Sequence, residues 1–392
     1  MKMKKVIRPE FYDRSFRFCN TTTGSIQENI WDELQQGLWQ HFDIDAFLNN
    51  ERQYAINVEQ KDKIQKKLMF PNIAIIEAGY KWNNAKQDTE IEYTTFPLKK
   101  ECTRGTLMRA LEEYFSRFNG EKLGVHLSGG LDSSIIMAWL RELGLPFTAI
   151  GFKSNRWEFR TEHRVQEAMA EYASHAELID IDDYPFYNNI QDCPKCQTPY
   201  GIAFKDFDIS RAIVKRFKEL GVTTVFSGQG GDTLFVEPVE KNKTVELAVG
   251  DEFDISGEND LYYVPAGMRL LTPYADKSII QQITGLRIGE KEDISKWWAR
   301  DFFKDILPTE LSKYNYVADM FGLSQSGLES AKPTIEKLFN EAYDITGNSN
   351  FSPSETKRFL GYNVFEMEFK NYVDYCARIS VAAWYHALFR KE

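Results

Sequence analysis

Apolar and polar residues alternate between two periodicities from about residue 105 to residue 230. Short apolar runs rich in Val, Ile, Leu and Phe predict strands, and apolar residues spaced three and four apart predict the helices between them. The predicted strands are residues 122–127, 147–152, 176–181 and 222–226. Strands that alternate with helices in this way predict an α/β fold with a doubly wound, mostly parallel sheet, whose ligand lies at the carboxyl ends of the strands.

The intervening helices carry apolar stripes that are typical of one buried face. These apolar stripes lie within residues 106–115, 135–143, 165–173 and 209–220. Gly144 and Gly221 are predicted to end two of these helices, and Asp208 is predicted to cap the start of the last.

The two ends of the chain do not show this alternation of strand and helix patterns. The first hundred residues mix polar stretches with a strand-like run at 73–76, which predicts a smaller N-terminal domain over residues 1–100. Residues 101–392 then form the second domain. Beyond Gly327 the pattern is mostly helical and ends in an amphipathic run from Thr356 to Phe389, which predicts a helical C-terminal extension.

Composition narrows the possible functions. The 392 residues carry a net charge of −10, which argues against general nucleic-acid binding because phosphate contacts need clustered Lys and Arg. No apolar run reaches membrane-spanning length, so we expect no membrane association and a cytoplasmic protein. Five cysteines do not suggest a disulfide framework. The Cys193-Pro-Lys-Cys196 segment is either a plain turn or half of a metal or redox site.

The most informative segment is Gly124 to Ser134, where an apolar strand runs through a Ser-Gly-Gly turn into a helix. Gly129 and Gly130 allow successive backbone N–H groups to point into one concavity, and the helix N-terminus adds partial positive charge, so the turn predicts a phosphate site. Asp132 cannot bind phosphate without a cation between them, which assigns it to Mg²⁺. The Gly-Lys-Ser/Thr ending of a Walker loop is absent.

Residues 128–134, Ser-Gly-Gly-Leu-Asp-Ser-Ser, resemble the pyrophosphate loop of the ATP-pyrophosphatase superfamily. Residues 225–235 resemble the Ser-Gly-Glu-Gly-Ala-Asp-Glu-Leu-Phe segment of asparagine synthetases and of their relatives that make β-lactams and peptide macrolactams. Two weaker matches follow, at residues 268–276 and at Lys296 with Arg300. The resemblance covers about residues 105–320 and implies a sheet of the adenine-nucleotide α-hydrolase type, with cleavage of ATP between its α and β phosphates.

The resemblance also implies which residues bind ATP and Mg²⁺. The expected nucleotide-binding residues are Leu127, Ser128, Gly129, Gly130, Asp132, Ser133, Ser134, Ile150, Ser227 and Gly228. Asp132 and Asp232 match the two acids that hold magnesium in the family. Either acid would look the same as a helix-capping or turn residue, and Leu127 and Ile150 would look the same as ordinary core residues.

Several departures from the family pattern affect the second half of the reaction. Lys2 stands where glutamine-using synthetases have their nucleophilic cysteine, so we expect no glutaminase activity. Gln229 replaces a Glu or Tyr near the acyl group, and it can orient a substrate but cannot accept a proton. Thr233 replaces a further acid. Glu162 matches an acid of the family's second helix and is a candidate base, although it would look the same as a solvated helix-start carboxylate.

The family lysine that neutralises the transition state has no counterpart in an ungapped comparison, because Tyr316 stands at that position. Three explanations remain open. Lys313 reaches in from a shifted loop, or Lys296 and Arg300 share the task, or the second half-reaction differs from that of the family.

Together these features predict an ATP-dependent amide synthetase of specialised metabolism. It would adenylate the carboxylate of a small molecule or peptide, release AMP and pyrophosphate, and pass the acyl group to an amine, alone or with a partner protein or second copy. The alternatives are a lasso-type macrolactam cyclase, an ammonia-dependent asparagine synthetase, a tRNA thiolation or sulfur-transfer enzyme, and a non-catalytic nucleotide-binding partner.

Overall fold

The computed structural model describes most of the chain from residue 101 onward and parts of the first hundred residues. The described residues are 17–27, 30–49, 70–76, 80–83, 85–86, 88–91, 93–96, 101–154, 160–197, 199, 205–236, 239, 245–248, 255, 258–313 and 320–390. They divide into two compact units. Unit 1 contains the described residues from 93 to 182 and from 212 to 313, and unit 2 contains those from 17 to 91, 183 to 211 and 320 to 390.

The strands are numbered in chain order. They are β1 (Arg17–Asn20), β2 (Ile26–Gln27), β3 (Ile73–Ile76), β4 (Tyr80–Asn83), β5 (Asp88–Ile91), β6 (Tyr93–Phe96), β7 (Leu123–His126), β8 (Phe147–Lys153), β9 (His175–Asp180), β10 (Thr224–Phe226), β11 (Val245–Ala248) and β12 (Arg269–Leu271).

The α-helices are numbered in the same way. They are α1 (Trp31–Gln35), α2 (Arg104–Ser116), α3 (Leu131–Glu142), α4 (Arg160–Ala170), α5 (Phe207–Glu219), α6 (Gly231–Val236), α7 (Lys277–Leu286), α8 (Trp297–Phe302), α9 (Thr309–Lys313), α10 (Met320–Thr346), α11 (Pro353–Leu360) and α12 (Phe369–Phe389).

Unit 1 is built on a five-stranded sheet in the order β12-β10-β7-β8-β9, with every neighbouring pair parallel. This confirms the predicted doubly wound α/β fold. The chain runs outward from β7 through β8 to β9 and then returns to the other side of β7 at β10. The strand order therefore reverses between β7 and β10, and ligands of such sheets bind outside the carboxyl ends of the strands at this point.

The edge strand β12 was not expected from the hydrophobic pattern, because its two leucines stand between Arg269 and Thr272 and form no longer apolar run. Its outer edge is covered by the buried side chain of Asn259. The Asn259 amide donates to the carbonyl of Leu270 at 2.9 Å and accepts from the Leu270 N–H at 2.7 Å. One side chain thus takes the place of a sixth strand at this position, which satisfies backbone groups that an edge strand would otherwise leave open.

The carboxyl ends of β7 and β8 are drawn together by close backbone contact. The N–H of Leu127 donates to the carbonyl of Ile150 at 2.9 Å, and a Cβ on Gly151 would lie 1.9 Å from the Leu127 carbonyl oxygen. The buried amide of Gln166 donates to the carbonyls of Leu127 at 3.0 Å and Phe152 at 2.7 Å. These contacts fix the position of Leu127, the residue at which the chain leaves β7 for the Ser-Gly-Gly turn.

One local prediction was wrong. Asp208 is not a cap, because α5 begins at Phe207 and the Asp208 carboxylate instead accepts from the side-chain amides of Asn188 and Asn189 at 2.8 and 2.7 Å. The amphipathic run from Thr356 to Phe389 contains the end of α11, which stops at Leu360, and all of α12, which starts at Phe369. The prediction that helices dominate this part of the chain is confirmed.

Unit 2 is assembled from three separate stretches of chain around an aromatic core. Trp384 of α12 lies 4.9 Å from Phe42 and 6.3 Å from Phe70, measured between ring centroids. Its indole N–H also donates to the carbonyl of Cys196 at 2.8 Å. Trp384 belongs to the third stretch and is fully buried. It therefore joins the third stretch to the first through Phe42 and Phe70 and to the second through Cys196.

Within the described residues, no helix is both long enough and apolar enough to cross a membrane.

We predict that Gly151→Ala destabilises the protein by about 3 kcal/mol or more, because the new methyl group overlaps backbone that side-chain rotation cannot move. Urea unfolding measures this as a lower midpoint at an unchanged slope. Gly105→Ala in the first turn of α2 is the matched control, since its Cβ would lie 3.8 Å from the nearest atom. The control should gain up to about 1 kcal/mol. Equal midpoints for the two variants would contradict the close contact at Gly151.

Candidate functional site

The turn after β7 has the geometry that its sequence predicts. Gly129 has a φ of 79°, in the left-handed region that favours glycine, and α3 then begins at Leu131. The Oγ atoms of Ser128 and Ser133 lie 2.7 Å apart, and the Ser128 hydroxyl accepts from the Gly130 N–H at 3.1 Å. Ser134 donates to the Gly130 carbonyl at 2.7 Å. Three hydroxyls are thus gathered around Gly130 at the start of a twelve-residue helix.

The loop after β10 rests directly on this turn. A Cβ on Gly228 would lie 2.6 Å from the backbone nitrogen of Ser133, and a Cβ on Gly231 would lie 2.4 Å from the Asp132 carboxyl carbon. Only glycine permits this approach. The glycines in this segment therefore bring the second loop against the first at the reversal between β7 and β10.

The two predicted metal acids are joined by a lysine. The Nζ atom of Lys296 lies 2.6 Å from Asp132 Oδ2 and 2.6 Å from Asp232 Oδ1. The side chains of Lys296 and Asp132 are only 11% and 19% exposed, whereas that of Asp232 is 75% exposed. The structure thus brings together three residues that the sequence placed in the site, from three different loops.

The titration of this cluster is dominated by burial. Burial raises the pKa of Asp132 to about 6, against the opposing effect of the Lys296 ammonium, and the nearby Asp232 carboxylate raises it further. Burial opposes the charge on Lys296 as well, but the two carboxylates outweigh it and raise its pKa. The lysine is therefore charged at neutral pH.

The acids fit a magnesium ion that is shared with a nucleotide. Asp132 Oδ1 is buried and has no hydrogen-bond partner among the described residues, so this carboxylate has unused ligand capacity. Nowhere in the described chain do three or more His, Cys, Asp or Glu side chains gather as a metal site. Mg²⁺ is commonly held by one or two carboxylates together with substrate phosphates, which matches two acids and a phosphate turn.

Arg300 lies beside the cluster and is buried, with its guanidinium turned toward backbone. Its Nε donates to the carbonyl of Ser295 at 2.9 Å, and Nη1 donates to the carbonyl of Leu311. Burial lowers the pKa of Arg300, against the effect of Asp132 and Asp293. These contacts support the loop that carries Lys296, and a direct role for Arg300 in catalysis stays a prediction.

Two residues of the site were missed at the sequence level, although both lie in the segment 268–276 that resembles the family. The buried hydroxyl of Tyr274 donates to the backbone carbonyl of Asp132 at 2.7 Å. Thr272 donates to the carbonyl of Gln229 at 2.6 Å. Each of these hydroxyls holds one of the two loops, and the Thr-Pro-Tyr sequence gives no signal for such a role without the fold.

The remaining nucleotide-binding candidates lie at the strand ends. Leu127 and Ile150 are buried, and Ser227 is nearly so. The Ser227 hydroxyl accepts from the N–H of Gln229 at 3.2 Å, which tightens the start of the second loop. The Gln229 side chain is half-buried at this loop.

Of the other catalytic candidates, Lys313 has none of the contacts with the two acids that Lys296 makes, and the rest lie outside the described residues or side chains. Lys313 is exposed at the last residue of α9, and none of the loop contacts given above involves it. Glu162 belongs to α4, but its side chain lies outside the described part, and so do Tyr316 and the side chain of Thr233. The structure thus gathers Lys296 with the acids and does not do so for Lys313.

One protein family has a sequence model that matches the part of the chain that contains this site. The sequence model of the asparagine synthase family matches residues 111–241, about a third of the chain, and this range includes both loops and both acids. The match supports an ATP-using carbon–nitrogen ligase at the family level. No curated protein matches the chain.

Two solved structures are similar to parts of this chain. NMN synthetase from Francisella tularensis is 12% identical, with 68% of this chain and 95% of that chain covered, at a TM-score of 0.33. The NH3-dependent NAD synthetase from Campylobacter jejuni, in complex with the nitrate ion, is also 12% identical, with 67% and 95% covered, at a TM-score of 0.31. At such low TM-scores neither likeness supports an argument about function.

We predict that Mg²⁺-dependent nucleotide binding weakens as the pH falls through about 6. Asp132 must be ionised to hold the cation, so affinity should fall about tenfold for each pH unit below its pKa. The measurement is calorimetric binding of a non-hydrolysable ATP analogue with Mg²⁺ and with EDTA. Because the nucleotide also titrates, Asp132→Asn is the control and should lose the Mg²⁺-dependent gain at every pH. A pH profile shared by both proteins would contradict the assignment.

Proposed function

We propose that this protein is an ATP-dependent amide synthetase that activates a substrate carboxylate as an acyl-adenylate. The observation that carries the proposal is the meeting of Asp132, Asp232 and Lys296 above a phosphate turn, at the reversal of a parallel sheet. Lys296 would place one positive charge beside a nucleoside triphosphate, and the two acids would provide ligands for the Mg²⁺ that accompanies it.

In the first step, a carboxylate oxygen of the substrate attacks the α-phosphorus of ATP. A new C–O–P linkage forms, the bond between the α-phosphorus and the bridging oxygen breaks, and pyrophosphate leaves with that oxygen. The turn at Ser128–Ser134 would hold the departing group through its N–H and hydroxyl donors. Mg²⁺, when held by the two acids, would neutralise charge on the pyrophosphate.

In the second step, an amine attacks the acyl carbon, a C–N bond forms, and AMP leaves with the electron pair of the C–O bond. The amine loses one proton during this step. Gln229 cannot take it, so a base from another position is needed, and Glu162 remains our candidate because it occupies the start of α4. The amine is a small molecule, a peptide or free ammonia, and the last two cases correspond to a macrolactam cyclase and an ammonia-dependent asparagine synthetase.

We assign the transition-state lysine to Lys296. Its ammonium already lies between the two acids at 2.6 Å from each, whereas Lys313 is exposed on a separate helix. A cation held in a largely buried position stabilises developing negative charge more strongly than one surrounded by water. Of the three explanations for the missing family lysine, we therefore favour the one in which Lys296 supplies the charge, with Arg300 as a support of its loop.

The sulfur-transfer alternative is disfavoured by the state of the paired cysteines. Cys193 is fully buried, its Sγ donates to the carbonyl of Ala383 at 3.8 Å, and burial raises its pKa to about 12. Sulfur chemistry needs an accessible thiolate, and this thiol is neither accessible nor ionised. The Cys193-to-Cys196 segment is better explained as part of the core of unit 2, where Cys196 accepts from Trp384.

The proposal is tested by product analysis with a panel of amino acids and short peptides as carboxylate donors. Hydroxylamine is added as a general amine, so that an acyl-adenylate is trapped as a hydroxamate. We expect AMP and pyrophosphate in equal amounts. ADP and phosphate as products would refute adenylation, and nucleotide binding without turnover for any donor would favour the non-catalytic alternative.

We predict that Lys296→Met lowers the rate of pyrophosphate release by about 10² to 10³, the usual effect of removing one charge-stabilising donor from a reaction centre. Lys313→Met is the matched control and should change the rate little, because its side chain is exposed and takes no part in the loop contacts. The opposite ranking of the two variants would move the assignment to Lys313.

A further inference from the structure

We propose that Asp293 is a positioning residue that fixes the backbone turn from which Lys296 reaches both acids. The effect of Asp293 on catalysis rests on the proposed function. Its effect on the position of Lys296 does not, because that effect is present in the protein without any ligand. Asp293 lies three residues before the lysine and has no counterpart among the motifs that the sequence revealed.

The Asp293 carboxylate binds the backbone of the turn on both sides of Lys296. One oxygen accepts from the N–H of Ser295 at 3.0 Å, and the other accepts from the N–H of Trp297 at 2.6 Å. The N–H of Lys296 itself donates to the main-chain carbonyl of Asp293 at 3.0 Å. Three successive N–H groups are thus satisfied by one residue, and two of these hydrogen bonds have an ionised acceptor, which makes them stronger than neutral ones.

These hydrogen bonds hold Lys296 in a conformation that its residue type disfavours. Lys296 has φ 54° and ψ 38°, in the left-handed region that side chains with a Cβ rarely adopt. Such a conformation persists only where surrounding contacts determine it, and it is concentrated at functional sites. Here it directs the chain into α8 while the lysine side chain turns back to the acids.

Asp293 also connects the lysine to the helix that carries one of its partners. The N–H of Asp293 donates to the carbonyl of Val236 at 3.1 Å, and Val236 is the last residue of α6. Asp232 lies in the first turn of this same helix. These contacts form a closed ring of interactions. Asp232 and Val236 lie at the two ends of α6, Val236 binds Asp293, and Asp293 holds the turn of Lys296, which binds Asp232.

Arg300 supports the same turn from the other side, because it donates to the carbonyl of Ser295. The Arg300 guanidinium binds a carbonyl of the turn, however, whereas the N–H groups of Ser295, Lys296 and Trp297 bind Asp293. The carboxylate of Asp293 is the group that binds on both sides of the lysine. The lysine position thus depends on a residue that itself contacts neither acid.

The test is chemical acetylation of lysine amines in the full-length protein without nucleotide or metal, followed site by site with mass spectrometry. In the unmodified protein we expect Lys296 to react slowly and the exposed Lys313 to react quickly. Asp293→Ala should raise the rate at Lys296 about tenfold or more, because it removes both charge-assisted hydrogen bonds that hold the turn. Asp293→Asn keeps one acceptor oxygen and should give an intermediate rate.

Glu292→Ala is the matched control, since it removes the same charge from the neighbouring exposed residue and should leave Lys296 protected. Lys313 serves as an internal standard in every variant. An unchanged rate at Lys296 in Asp293→Ala, or an equal increase in Glu292→Ala, would overturn the proposal. Should Asp293→Ala fail to fold, Asp293→Asn decides alone, with a faster rate than the unmodified protein as support and an equal rate as refutation.

The catalytic part is measured on the same variants by pyrophosphate release. Asp293→Ala should lower kcat about tenfold or more with little change in the KM for ATP, because misplacement of a reacting group acts mainly on the transition state. An unchanged kcat beside a reactive Lys296 would refute the positioning role. If the unmodified protein releases no pyrophosphate but the acetylation pattern holds, the proposed function fails and the structural assignment of Asp293 stands.

Discussion

A largely buried carboxylate beside a second carboxylate is unfavourable without a compensating cation, and the arrangement of this site depends on that cation. Lys296 provides the charge at 2.6 Å from the largely buried Asp132 and 2.6 Å from the exposed Asp232. The two acids lie in the first turns of α3 and α6, and glycines at 228 and 231 allow the segments after β7 and β10 to touch. Without the ammonium, burial and the neighbouring carboxylate would raise the pKa of Asp132 still further.

The fold of unit 1 could be predicted from sequence because each of its elements carries a local signal. The strands at β7, β8, β9 and β10 are apolar runs, and the helices between them show one apolar face or end at a glycine. The edge strand β12 was missed because its two leucines stand between Arg269 and Thr272 and form no longer apolar run, and its outer edge is covered by Asn259 rather than by another strand.

The nucleotide turn could likewise be predicted, because its chemistry lies in consecutive residues. The choice between Lys296 and Lys313 could not be made in this way. Both lysines lie in plausible sequence contexts, and only the path of the chain through a left-handed residue brings one of them to the acids. The roles of Tyr274 and Thr272 were hidden for the same reason, since each acts by donating to a backbone carbonyl more than forty residues away in sequence.

The position of Trp384 in the sequence affects when the core of unit 2 can form during synthesis. Its ring contacts Phe42 and Phe70 and its N–H binds the carbonyl of Cys196, so the interior of unit 2 includes a side chain that is synthesised 188 residues after Cys196. During translation, the stretches from 17 to 91 and from 183 to 211 emerge long before α12 can cover them. Phe42 and Phe70 then lack their contact with Trp384 until residue 384 has been added, a state in which chaperone binding and aggregation compete with folding. Unit 1, by contrast, has all of its described elements in the chain once residue 313 has been added.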